Sequence, residues 1–169
     1  MQFDLSSFIP FLLNRVGSRM AESFGARIEP HGLTIPGWRL LAALYSRDGQ
    51  RIGELATTIS LEVWSVSRLA MVLEERSLIR RQRETKDARA VDVSLTEQGR
   101  AVVETIIPIA RDYEAIPLRG FSDREKHQLR EFLERVYANL TDLEDAAASS
   151  SAINVDAETS NPPRPATSS

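Results

Sequence analysis

The side chains with chemistry to offer are arginines and small hydroxyls, gathered into one stretch. Ser65, Ser67 and Arg68 stand together near the start of an amphipathic run that ends at Arg76. Small hydroxyls beside an arginine at a helix start let a backbone approach DNA closely, and the arginine can bond base edges. A basic segment follows, Leu78-Ile79-Arg80-Arg81-Gln82-Arg83, then a polar turn, Glu84-Thr85-Lys86-Asp87-Ala88-Arg89. Between Arg76 and Arg89 the basic residues Arg76, Arg80, Arg81, Arg83, Lys86 and Arg89 outnumber the acidic Glu84 and Asp87. The local balance is positive although the whole chain carries −3. A phosphate-facing patch needs charge concentrated in this way. A hairpin edge protected by charge has the same composition, so the stretch alone leaves both readings open.

Other chemistries find little support. The chain has no cysteine, which removes disulfides, thiol redox sensing and cysteine-based zinc sites. His31 and His127 are far apart, and His127 lies in the charged run Arg124–Gln128, where a solvated surface role is expected. No glycine loop for phosphate, no metal-ligand cluster and no Ser/His/acid arrangement stands out. No catalytic residue, metal or cofactor is therefore expected. No apolar run approaches the roughly 20 residues of a membrane span. The N-terminus shows no basic flank before a long apolar core. The expectation is a cytoplasmic protein with no membrane partner.

The elements that would position these residues follow from periodicity. Of the 169 residues, 42% are hydrophobic and 27% charged, ordinary for one globular domain. Ser6 or Ser7 is expected to cap a first helix, with Leu12, Leu13, Val16, Met20 and Phe24 at helical spacing to about Ile28. Glu29-Pro30-His31-Gly32 breaks it. Thr34 caps a second helix with Pro36 in its first turn, and Gly49 stops it. A short strand is expected around Arg51-Ile52. Gly53 to Ser60 reads as a short third helix, and a break at Ser60-Leu61-Glu62 leads into the fourth. Two short helices joined by a tight turn make a helix-turn-helix, whose second helix reads DNA. On that helix Val66, Leu69, Ala70 and Leu73 share the core side, and Trp64, Arg68, Met71 and Glu75 lie opposite.

Val91, Val93 and Leu95 alternate with Asp92 and Ser94, the period of a strand. With the basic segment they form a hairpin whose turn should protrude as a wing. Thr96 caps a fifth helix, which Pro108 should kink or locally break. Ala115 to Gly120 is a break. Ser122 and Glu125 form a capping box for a sixth helix carrying Leu129, Phe132, Leu133, Val136, Tyr137 and Leu140, expected to end near Asp142–Asp145. Residues 146–169 are rich in Ala, Ser, Thr, Asn and Pro, and are read as a disordered tail. The fold class is mainly α with a small β-hairpin wing. Residues 1–145 form one domain, with its DNA-binding lobe at about 34–96.

The pattern resembles the MarR family of bacterial transcription regulators. The resemblance is carried by Gly32-Leu33-Thr34 with Trp38–Leu41, by Ile52–Ala56, Ser65–Leu69 and Leu73–Ile79, then by Asp87–Ala90 and Val93–Arg100. It covers about Leu5 to Leu140, and the order and spacing of these pieces are specific together. It implies a winged helix-turn-helix in a helical homodimer scaffold. The first, fifth and sixth helices would make the dimer interface. Each recognition helix would enter a major groove of double-stranded DNA and each wing tip the adjoining minor groove. The DNA-binding residues implied are Ser65, Ser67 and Arg68 on the helix and Lys86, Asp87 and Arg89 on the wing. Arg89 matches the wing arginine and Asp87 the acidic residue that orients it. A local salt bridge worth ~0–1 kcal/mol is the plainer account of that pair. Trp64 departs from the family pattern, since polar residues are more usual there.

The same resemblance implies a small-ligand sensor, and its pocket region holds Arg15, Arg19, His31, Trp38 and Arg39. An arginine can grip a carboxylate, a histidine can bond a phenol, and Trp38 can stack on a ring. The stretches around Phe11–Val16 and Trp38-Arg39 resemble the branch that responds to aromatic acids, so a small anionic aromatic ligand is expected. The plainer account makes Trp38 core, His31 a loop residue and the arginines dimer salt bridges. A winged-helix protein-interaction module without sequence-specific DNA binding is the alternative function.

Overall fold

A computed structural model describes the backbone of residues 3–83 and 91–159, and the side chains of 3–82 and 91–143. The chain divides into two compact units, Met1–Pro117 and Leu118–Ser169.

The first unit begins with a short 3-10 turn, Leu5–Ser7, and helix α1, Ile9–Ile28. The sequence expectation that Ser6 or Ser7 caps α1 is overturned, because Phe8 holds the cap position and makes no side-chain cap bond. Asp4 instead accepts from the Ser6 amide at 2.9 Å and caps the 3-10 turn. Phe8 stands at the start of α1 with Pro10 in its first turn, where a missing N–H costs nothing. A second 3-10 turn, Glu29–His31, absorbs Pro30, and Gly32 closes it in the left-handed region at φ 70°. Thr34 caps α2, Ile35–Ser46, by accepting from the Gly37 amide.

Strand β1 is Gln50–Arg51, one residue earlier than the sequence pattern placed it, because Ile52 already begins α3 (Ile52–Ile59). Helix α4 runs Val63–Glu75, and α5 runs Glu97–Glu114 from its Thr96 cap. Pro108 lies inside α5, which stays one helix through it. Strands β2 (Ile79–Arg83) and β3 (Val91–Leu95) pair antiparallel, Ile79 opposite Leu95 and Arg83 opposite Val91. β1 pairs with the other edge of β3, so the sheet order is β1-β3-β2.

One apolar core holds this unit together. Ile28, Leu40, Leu41, Leu44, Leu55, Val66, Ala70, Val93 and Ile106 are at or near zero exposure. They come from α1, α2, α3, α4, β3 and α5, so burial of a few residues from each element ties all six into one body. Among the described residues Gln50 is the buried polar exception. Its amide donates to the carbonyls of Ala43 (3.0 Å) and Arg47 (2.6 Å), satisfying the end of α2.

The second unit is dominated by α6, Asp123–Thr159. Ser122 and Glu125 make the expected reciprocal cap, with the Ser122 amide donating to the Glu125 carboxylate at 2.8 Å and the Glu125 amide to the Ser122 hydroxyl at 3.3 Å. The Ser122 hydroxyl, which donates to the Glu125 carboxylate at 2.7 Å, and then the Ser122 amide hold that carboxyl below the usual glutamate range. The helix passes the end expected near Asp142–Asp145 and takes in much of the stretch read as a disordered tail. Ala146-Ala147-Ala148 are strong helix formers, and neither Gly nor Pro interrupts before Pro162. Residues 160–169 lie outside the described structure. No helix among the described residues is long and apolar enough to cross a membrane.

Candidate nucleic-acid interface

The interface is built on α3 and α4 and the turn between them. Ser60 turns the chain in the left-handed region at φ 54°, and the Leu61 amide reaches back to the Ala56 carbonyl at 3.0 Å. This closure of α3 uses carbonyls that would otherwise lack donors. It leaves Glu62 extended as the first cap of α4.

Helix α4 is seated by Val66 (0% exposed), Ala70 and Leu73, with Leu69 half-buried beside them. That seating fixes the opposite face outward. Arg68 and Trp64 are exposed, while Ser65 and Ser67 are half-buried on the flanks. The three helix residues expected at DNA therefore sit together on the first two turns of α4. The other three, Lys86, Asp87 and Arg89, lie outside the described residues.

The wing strands are tied to this helix by a contact the sequence did not announce. Glu74, near the end of α4, takes two donors from Arg81 of β2: the backbone amide at 2.9 Å and the guanidinium Nε at 2.7 Å. Both side chains are only about one-third exposed. The Arg81 side-chain hydrogen bond, then its amide, hold the Glu74 carboxyl below the usual glutamate range. On β2, Ile79 and Arg81 share the inward face, and Arg80 and Gln82 point outward.

A second tie runs from the same C-terminal end of α4, where Arg76 follows the last turn. Arg76 donates to the Gly32 carbonyl at 2.6 Å, linking α4 to the corner between α1 and α2. Arg76 and Arg81 were both counted in the basic patch, and both are spent on holding the helix. The patch is narrower than its composition, because a guanidinium that satisfies a carbonyl or carboxylate has fewer donors for phosphate. Among the described residues of that run, Arg80 stays outward on the wing.

The candidate effector residues are spread over the fold. Trp38 and Arg39 line a recess of about 460 Å³ with Ala42 and Ala43 of α2 and Thr58, Ile59 and Ser60 at the end of α3. Trp38 is half-buried and meets Phe24 edge-on at 6.1 Å between centroids. Arg19 lines a different recess, of about 510 Å³, with Tyr113 and residues of α1. It also pairs with Glu22 at 3.2 Å, with both side chains largely exposed. Arg15 and His31 are exposed and line neither recess. The structure thus brings Trp38 and Arg39 together and leaves the other three apart from them. No cluster of metal-binding side chains occurs among the described residues.

Comparison with known proteins bears on the whole arrangement. A model of the MarR family matches residues 33–91, which run from the start of α2 through the helix-turn-helix and β2 to the first residue of β3. The repressor IacR of Pseudomonas putida is 23% identical over 142 residues, covering 84% of this chain and 85% of IacR. A MarR-family regulator from Silicibacter pomeroyi superposes with a TM-score of 0.71 at 29% identity, over 80% of this chain and 92% of that one. The chain belongs to the MarR family. CouR from Rhodococcus jostii, solved with p-coumaroyl-CoA bound, is 26% identical with a TM-score of 0.72, over 80% of this chain and 95% of CouR.

As a MarR-family protein the chain is a DNA-binding transcriptional regulator, and the alternative of a pure protein-interaction module falls away. The contacts that sequence reasoning missed, Glu74–Arg81 and Arg76–Gly32, had one usable signal. Both arginines stand where a strand or helix end adjoins the core, beside Ile79 and after Leu73, and such positions are seldom free.

Proposed function

We propose that this regulator is a homodimeric repressor that binds a pseudo-palindromic operator in the cytoplasm and is released by a small aromatic carboxylate or phenol. The observation that carries the ligand part is the recess between Trp38-Arg39 and Thr58-Ile59-Ser60. A ring stacks on the Trp38 indole while the Arg39 guanidinium takes the anion. The far wall is the end of α3 and the first residue of the turn into α4. An occupant therefore touches α2 and the DNA-reading unit together, and favours one spacing of α4 over another. By linkage it weakens DNA binding by the factor with which DNA weakens its own binding, about 1–3 kcal/mol. CouR, with its aromatic acyl ligand, supports the ligand class, and IacR supports repression.

Two exposed apolar faces support the dimer. On α1, Ile9, Leu12, Leu13, Val16 and Met20 stand open, and on α6 so do Phe132, Leu133, Val136, Tyr137, Leu140 and Leu143. Leu129, Leu133, Val136, Leu140 and Leu143 alternate steps of four and three, the spacing by which helices pair. A second copy is the partner whose faces match these, and α5 contributes to the same interface. The dimer sets two recognition helices on half-sites about one DNA turn apart. Ser65, Ser67 and Arg68 serve the major groove, and Lys86 and Arg89, with Asp87 orienting, serve the minor groove. Arg15, Arg19 and His31 remain secondary ligand candidates behind Trp38 and Arg39.

The test is release of the full-length protein from its own upstream DNA by a panel of hydroxybenzoates and hydroxycinnamates, read by anisotropy beside a ligand melt. Release by at least one compound, lost in Arg39→Ala, is expected. No response across the panel removes the aromatic-acid reading and leaves the DNA-binding function standing.

A further inference from the structure

Trp64 packs on little of its own protomer. It is 68% exposed on the second residue of α4, and Val63 before it is 55% exposed. At 100° per residue, Trp64, Arg68 and Met71 fall within about 60° of one another around the helix. Val66 and Ala70, fully buried, lie on the other side. The outward face of the DNA-reading helix thus carries a large apolar side chain one turn before its arginine, with Met71, 43% exposed, after it. Water gains nothing from such an indole, whereas a groove offers it one kind of partner. Among the base edges of the major groove, the thymine 5-methyl is the one protruding apolar group.

We propose that Trp64 is a specificity-determining residue that packs its indole on a thymine methyl, so that each half-site requires a T·A pair beneath the start of α4. Arg68, one turn further on, reads the neighbouring pair through hydrogen bonds. Val63 flanks the indole and excludes water from the methyl. This assignment rests on α4 being the helix that enters the groove.

The experiment uses duplexes that the full-length wild-type protein enriches from a random-sequence library. Each thymine of the enriched site is replaced in turn by uracil, which removes only the methyl. One position per half-site is expected to lose about fourfold in affinity, the worth of a buried methylene. Trp64→Ala is expected to bind the thymine duplex about tenfold more weakly, to show no uracil penalty at that position, and to melt as the wild type does. Trp64→Phe keeps part of both effects. 5-Bromouracil at the same position is expected to photocross-link to Trp64. An equal uracil penalty in wild type and Trp64→Ala overturns the assignment, as does a wild type indifferent to uracil at every position. Failure of the wild type to enrich any sequence overturns the DNA-reading role of α4 itself, and the assignment with it.

Discussion

Gly99 has no room for a side chain. A Cβ there would overlap the Leu78 carbonyl, whose oxygen and carbon are both backbone atoms. Neither can rotate away, so α5 or β2 would have to move. Gly99→Ala is expected to lower stability by about 2–4 kcal/mol, read as a lower denaturant midpoint. A variant as stable as wild type would contradict this packing of α5. Arg68 is the opposite case, an exposed side chain with no such structural burden. Arg68→Ala is expected to keep its melting temperature and lose tenfold or more in specific DNA affinity at fixed salt. Arg68 was legible from its neighbours in the sequence, since wheel position alone turns it outward. Gly99 was legible only as part of a family-like run, because what excludes its Cβ belongs to a residue far back in the chain.

At the scale of elements, the Glu74–Arg81 contact makes α4 and the wing strands one piece. A groove-reading helix and a wing hold a fixed spacing only if their junction is stiff, and a carboxylate with two donors from one residue supplies that stiffness. The carboxyl is held below the usual glutamate range in the folded protein. Its stabilising contribution is therefore present above roughly pH 4.3, the unfolded value, and fades as pH falls through the lower folded value. Glu74→Gln is expected to melt below wild type at pH 7, with the gap closing in acid. A gap that is constant across pH 3–7 would mean that the charge contributes nothing. The partial exposure of both side chains keeps the effect small. Helix α6 shows how far local reading reaches: its Ser122–Glu125 start was legible from two side chains, and its end was not. A start is marked by specific donors and acceptors, whereas an Ala- and Ser-rich end carries no stop residue.

For the whole molecule, the exposed apolar faces of α1 and α6 carry the prediction. An exposed apolar stripe along a helix marks a contact with another chain. Leu133→Asp combined with Leu140→Asp on α6 is expected to yield monomers in analytical ultracentrifugation and to weaken binding to a two-half-site duplex far more than to a single half-site. A double variant that sediments as wild type would remove α6 from the interface.

The sequence by itself determined the element order, the cap residues Thr34, Thr96 and Ser122, the buried side of α4 and the outward face with Trp64 and Arg68. These rest on interactions within a few residues, which periodicity and side-chain type report directly. Only the tertiary structure decided that Arg76 and Arg81 hold the reading helix instead of widening the basic patch. It alone set Trp38 and Arg39 against the helix-turn-helix turn while leaving Arg19, Arg15 and His31 elsewhere. Hydrogen-bond partners distant in sequence leave no periodic trace, so a count of arginines cannot separate those that grip the fold from those left for DNA.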